Sequence, residues 1–170
     1  MKKQNPDFEQ ALEIASFWCN AWDQGELSDE VLADKILNLL RKKEGARGFF
    51  VISLLSDSPL MDRLPDPLIF SLREEGEHVI DLTIKNMAMS SAMAIFHKRS
   101  NNSEQQHSSE RIRQRCIDLL RLLEAKLVKK KLDTLLEATE GKGKDVEFLK
   151  RWKYDEEQIN AISESIRSIA

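Results

Sequence analysis

Arg47 to Leu55 reads RGFFVISLL, a run in which apolar side chains fall on every side. Such a run is either a short buried strand or one stretch of a helix buried all round, and periodicity does not separate the two. A strand needs a partner. The nearest rival is Val79 to Ile84, where Ile80, Leu82 and Ile84 alternate, but it passes without a break into a Met/Ala/Ser segment of helical character. With no clear partner strand, residues 47–55 are read as helix. The whole chain is then all-α: a single-domain multi-helix bundle of about seven or eight helices, built around one long central helix.

Helix signals surround this stretch. Asn5-Pro6-Asp7 combines a capping side chain, a proline suited to the first helical position and an acid for the positive end of the dipole. Ala11, Ile14, Ala15, Trp18, Cys19 and Trp22 then recur at helical spacing until Gly25. Ser28 is placed to cap a second helix, which carries Leu32, Ile36, Leu39 and Leu40, closes on Arg41-Lys42-Lys43 and is expected to stop at Gly45. Ser58-Pro59 and Asp66-Pro67 each look like a cap followed by a proline.

Glu77 to Arg99 is apolar nearly all round, which predicts the central helix. Residues 100–108, SNNSEQQHS, are expected to form a polar loop or a frayed helix start with Ser103 and Gln106 at capping-box spacing. From Glu104 to Glu140 an apolar face runs through Ile112, Cys116, Leu119, Leu123 and Leu127. It continues one residue out of step through Val128, Leu132, Leu135 and Thr139. This predicts a second long helix packed along the first, roughly 35 residues and about 50 Å long. Residues 141–144 form a Gly/Lys linker before a C-terminal helical segment, in which Asp155 and Gln158 have capping-box spacing. Residues 1–4 are expected to be disordered.

Composition excludes several classes. With 170 residues, 41% hydrophobic and 32% charged, the chain can bury a core without metal or disulfide and is not an intrinsically disordered polymer. The longest apolar stretches, such as Phe49 to Leu55, fall far short of the roughly 20 residues of a bilayer span, so no membrane insertion is expected. MKKQNPDFEQ lacks the apolar core of a secretory signal, and the expected location is the cytoplasm. Cys19 and Cys116 sit at apolar-periodic positions, which suits buried, reduced thiols.

Charge is uneven. Residues 1–45 and 46–110 each carry 6 basic and 9 acidic side chains, residues 111–153 carry 13 and 7, and residues 154–170 carry 1 and 4. The basic segment raises the possibility of nucleic-acid binding by counterion release. Interleaved acids and the lack of aromatics from Arg111 to Gly141 favour a solvated helix face instead.

Enzyme templates are absent. Gly141-Lys142-Gly143-Lys144-Asp145 has the wrong spacing for a phosphate loop, and GxSxG, HExxH and GxGxxG do not occur. Glu104-x-x-His107 is half of a di-iron signature without its second half. The three histidines, His78, His97 and His107, and the two cysteines provide no close ligand pair for zinc. No catalytic residue, metal site or cofactor is expected.

Three places remain candidates for a ligand or partner. Asn86, Ser90 and His97 share about 40° of the central helix at 100° per residue, forming a polar stripe that must be hydrogen-bonded or face something. A small pocket there would suit a hydrophobic cofactor such as a tetrapyrrole; a satisfied buried network is the plainer reading. Arg47, between Gly45 and Gly48, offers a guanidinium to a carboxylate or phosphate, or a helix-terminal ion pair to a neighbouring acid. Arg151, Trp152 and Tyr154, with Lys150 and Lys153, form an aromatic-basic knot able to stack on a base, anchor an interface or dock the last helix.

ARGFFV (46–51), KNMAMSSAMAIFH (85–97) and FLKRWKYD (148–155) together resemble a family of small helical proteins of unknown function found in cyanobacteria. The resemblance spans roughly residues 45–160. It implies a cytoplasmic cyanobacterial protein and brings no activity, cofactor or site residue. The expected function is a non-enzymatic protein-interaction or adaptor module with an unknown protein partner. Homodimerisation is possible, with nucleic-acid binding and small-ligand binding beside the central helix as alternatives.

Overall fold

The computed structural model describes residues 5–169; the expectation for residues 1–4 lies outside them. Among the described residues all regular secondary structure is helical. The elements are α1 (Phe8–Asp23), α2 (Asp29–Leu40), α3 (Lys43–Leu55), a 3-10 turn (Pro59–Met61), α4 (Asp66–Glu74), α5 (Glu77–Arg99), α6 (Ser103–Leu120), α7 (Ala125–Thr139), α8 (Val146–Arg151) and α9 (Glu156–Ile169). RGFFVISLL is therefore helix, and the central helix has the limits the sequence predicts.

Local chemistry moves several boundaries. Asp7, not Asn5, caps α1: its carboxylate accepts from the Gln10 amide while Gln10 reaches back to the Asp7 amide, at 2.8 and 3.0 Å. Pro65 rather than Asp66 precedes α4. Asn102 rather than Ser103 caps α6, accepting from the Gln105 amide at 3.2 Å, so residues 103–108 are helix and not loop. Gly45 ends nothing. The break falls at Arg41 and Lys42, and Gly45 lies inside α3 because a Cβ there would strike the Leu39 carbonyl.

The helix expected over residues 104–140 is two helices. After Leu120 the backbone tightens into i→i+3 bonds from Leu122 to Leu119 and from Leu123 to Leu120. Glu124 is extended, and its carboxylate accepts from the Lys126 and Leu127 amides at 3.1 and 2.6 Å, starting α7. The one-residue slip in the apolar pattern marks this break.

The residues cluster into two compact units, one ending at Leu82 and one starting at Thr83 within α5. In the first, α1 and α3 meet at backbone distance, because a Cβ on Gly48 would lie 2.6 Å from the Ala11 Cβ. Leu32, Ile36, Phe49, Phe50, Leu68 and Leu72 form its core. In the second, Met87, Ala88 and Ala92 of α5, Cys116 and Leu119 of α6, Leu135 of α7 and Ile162 of α9 are buried.

α5 is long and apolar enough to cross a bilayer by length and composition alone, and 56% of its most apolar window is buried in the fold. Its Ala92 carbonyl accepts from Gln158 of α9 at 3.1 Å, a contact of the kind a core helix makes.

Candidate functional site

The polar stripe of α5 does not converge on a pocket. Ser90 is buried and donates to the Met87 carbonyl of its own helix at 3.1 Å, so its proton is used locally. Asn86 is half-buried and also has a partner. His97 is half-buried and edge-on to the exposed Phe96 ring, at 5.4 Å between centroids.

The polar network between helices lies on the opposite neighbour. Ser91 donates to the Met87 carbonyl at 2.7 Å and its oxygen lies 2.7 Å from that of Ser165 in α9. Arg113 of α6 donates to Ser165 at 2.6 Å. One proton per hydroxyl suffices for a one-way relay from Arg113 through Ser165 and Ser91 to the carbonyl. Ser91 stands among Ile84, Met87 and Ile95 at helical spacing, and nothing local reveals a partner 74 residues away.

Arg47 makes the plain helix-terminal pair: its guanidinium bonds both Glu44 oxygens, at 2.8 and 3.1 Å, and lies over the Phe8 ring at 4.9 Å. Arg151, Trp152 and Tyr154 do not act together. Arg151 and Trp152 are exposed, while Tyr154 is half-buried and lines a cavity of about 370 Å³ with Leu149, Lys153 and Ile159. Burial raises the Tyr154 phenol pKa. Lys153, at φ 52°, turns the chain between Trp152 and Tyr154.

Sequence reading missed the charged anchor beside that knot. Arg99, the last residue of α5, donates to both oxygens of Asp155, at 2.5 and 3.1 Å, and to Glu157 at 3.0 Å. Asp155 also caps α9 by bonding the Gln158 amide at 3.0 Å. The Arg99 bonds come first among the causes that hold its carboxyl down at about 2.

About half of the basic side chains of residues 111–153 are used within the fold. Arg115 is buried and partnered, Arg113 bonds Ser165, Arg121 bonds the Ser168 carbonyl, and Lys129 pairs with Asp133 at 3.0 Å. Arg111 and Lys131 also have partners. Lys126, Lys130, Lys142, Lys144, Lys150, Arg151 and Lys153 have no side-chain hydrogen bond or ion pair among the described residues. No group of three or more His, Cys, Asp or Glu able to hold a metal is assembled among the described residues.

Exposed apolar side chains lie in both units. In the first, which carries 9 basic and 16 acidic side chains, Phe70 of α4 is 65% exposed and Phe17 of α1 63%. Ile14 lies one turn away, Trp18 packs edge-on to Phe17 at 4.9 Å, and Lys35 of α2 covers Trp18 at 5.1 Å. Val31, one turn before Lys35, is exposed on the same face of α2.

These features define an all-helical protein with exposed apolar surface and no metal-holding group of His, Cys, Asp or Glu among the described residues. The chain belongs to the family described as uncharacterised conserved protein UCP020893, whose model matches residues 7–169. No curated protein and no solved structure matches it.

Proposed function

We propose that this protein is a non-catalytic interaction module whose acidic first unit takes a basic amphipathic segment of a protein partner. The observation that carries this is Phe17, a large aromatic side chain 63% exposed, one turn from Ile14 and packed edge-on against Trp18. Aromatic side chains give interfaces most of their energy when buried in a complex. Glu13 lies one turn from Phe17, and Asp34 and Glu30 flank Val31. This rim favours cationic partners and speeds their encounter.

The chemistry of the site supports binding over turnover. Among the described residues the shifted groups are Cys19, Cys116, Tyr154, Arg99 and Asp155, and burial, the charge of Asp23 near Cys19 and the bonds of Arg99 and of backbone amides to the acids account for them. None adjoins a second group poised for proton transfer. The cytoplasmic location and cyanobacterial origin implied by the sequence resemblance belong to the same proposal.

The test is a photo-crosslinking residue in place of Phe17, expressed in the native cell. One protein partner with a basic helical segment should be captured, and Phe17→Ser with Ile14→Ser should abolish its binding while leaving helicity intact. If position 17 captures nothing while the protein stays monomeric, the reading fails.

A further inference from the structure

We infer that the second unit carries a binding site for a small amphiphile with a long apolar chain and a carboxylate head group, in a groove between α7 and α9 capped by the end of α6. The groove has a volume of about 470 Å³, within the range of small-molecule sites. Leu120, Arg121 and Leu123, at the break between α6 and α7, line it. Leu120, Val128, Leu132 and Ile166 form a buried floor, and the half-buried Leu136 and Ile169 line it as well. No polar side chain enters the floor, so the body of an occupant must be apolar.

The mouth supplies the sign of the head group. Its charged residues are Arg121, Lys129, Asp133 and Arg167. Lys129 is neutralised by Asp133 at 3.0 Å, which leaves two guanidinium groups. Arg121 spends one donor on the Ser168 carbonyl at 2.7 Å, and this holds it against the last turn of α9, one residue from Arg167. Its 3.7 Å approach to Asp118 is loose and exposed. Arg167 has no side-chain partner among the described residues. A guanidinium has five donors in a planar fork that matches a carboxylate, so the rim retains unused capacity for one anion. The Lys129–Asp133 pair adds no net charge to the rim, so the two guanidinium groups set the sign of the head group, and their planar forks match a carboxylate.

The proposal is independent of the Phe17 surface, which lies in the other unit. Its test is calorimetric titration of the full chain with dodecanoate below its micelle concentration, beside dodecylammonium and dodecanol. Saturable one-to-one binding of dodecanoate is expected, at least about tenfold tighter than of either comparison compound. Arg167→Gln, at an exposed position with no side-chain hydrogen bond or ion pair among the described residues, should weaken it about tenfold, and Arg121→Gln should weaken it further. Methyl resonances of Ile166 and Ile169 should shift on binding. Equal affinity for the three head groups, or full affinity in the double variant, would overturn the proposal by showing apolar adsorption only. So would shifts of those methyls with protein concentration alone, which mean a second copy in the groove. Binding to anionic vesicles without binding to dodecanoate also overturns it.

Discussion

The hydroxyls of Ser91 and Ser165 lie 2.7 Å apart in a buried contact between α5 and α9, with Arg113 donating to Ser165 from α6. Three helices of the second unit thus share one polar relay inside an apolar core. Removing its middle costs more than removing its end. Ser165→Ala strands the Arg113 donor and is expected to destabilise by about 1–3 kcal/mol, whereas Ser91→Ala leaves Ser165 the Ala161 carbonyl and costs about 1 kcal/mol. The double variant should cost less than the sum, because both changes remove one contact. Urea unfolding midpoints of the three variants check this.

Backbone contact between α1 and α3 makes a sharper prediction in the first unit. A Cβ at position 48 would lie 2.6 Å from the Ala11 Cβ, 2.8 Å from the Ala11 carbonyl carbon and 3.0 Å from the Leu12 nitrogen. Two of these atoms are main chain and cannot rotate away. Gly48→Ala should therefore destabilise by about 1–3 kcal/mol or more, and adding Ala11→Gly should fail to restore stability because the backbone clash persists. Thermal unfolding by circular dichroism distinguishes this from a simple methyl clash, which the second change would relieve.

Much of the architecture was legible because helices announce themselves locally. The apolar wrap of Glu77 to Arg99 marked α5 at both ends, and RGFFVISLL resolved to helix once no partner strand could be found. The break at Glu124 was written in the slip from Leu123 and Leu127 to Val128 and Leu132, but a register slip also suits a bend. What separated the two was a glutamate carboxylate turned back onto the Leu127 amide at 2.6 Å. The groove and the Ser91–Ser165 contact were not legible. Both depend on which helix lies beside which, and a sequence with a net charge of -3 and no functional motif carries no local sign of that pairing.

The break itself is testable. Glu124→Ala removes the acceptor for two otherwise unpaired amides at the start of α7 and should cost about 1 kcal/mol, whereas Glu124→Asp, with a shorter capping side chain, should retain most of the stability. If the two helices were instead one curved rod, alanine, the better helix former, would stabilise it. The sign of the change in unfolding midpoint decides.

Arg99 and Asp155 predict a pH dependence. Asp155 titrates in the folded chain at about 2, below its ordinary 3.8, first because Arg99 bonds it and next because the Gln158 amide does. A lowered folded value means that the contribution is complete above the ordinary value and disappears as the pH falls through about 2. Arg99→Ala should move the Asp155 carboxyl resonance titration up towards 3.8, while the Gln158 bond keeps it from reaching that value. Substituting Glu157 should move it less, because Glu157 acts on Asp155 through its backbone amide, which the substitution leaves in place. Carboxyl carbon NMR across pH 1.5–5 reads both shifts; an unmoved titration in Arg99→Ala would show that the ion pair is not made in solution.

The two thiols test the burial of each unit separately. Cys19 in α1 is pushed up to about 11, first by burial and then by the charge of Asp23, and Cys116 in α6 is pushed up further by burial alone. The thiolate is the reactive form, so at pH 8 neither should react with an aromatic disulfide reagent on mixing, and both should react once urea exposes them. Asp23→Asn should accelerate labelling of Cys19 only slightly, because burial is the larger cause, and should leave Cys116 unchanged. Labelling rates resolved by mass spectrometry of the two peptides then report the opening of each unit: equal rates mean that the units open together, and faster labelling of one thiol identifies the unit that opens first.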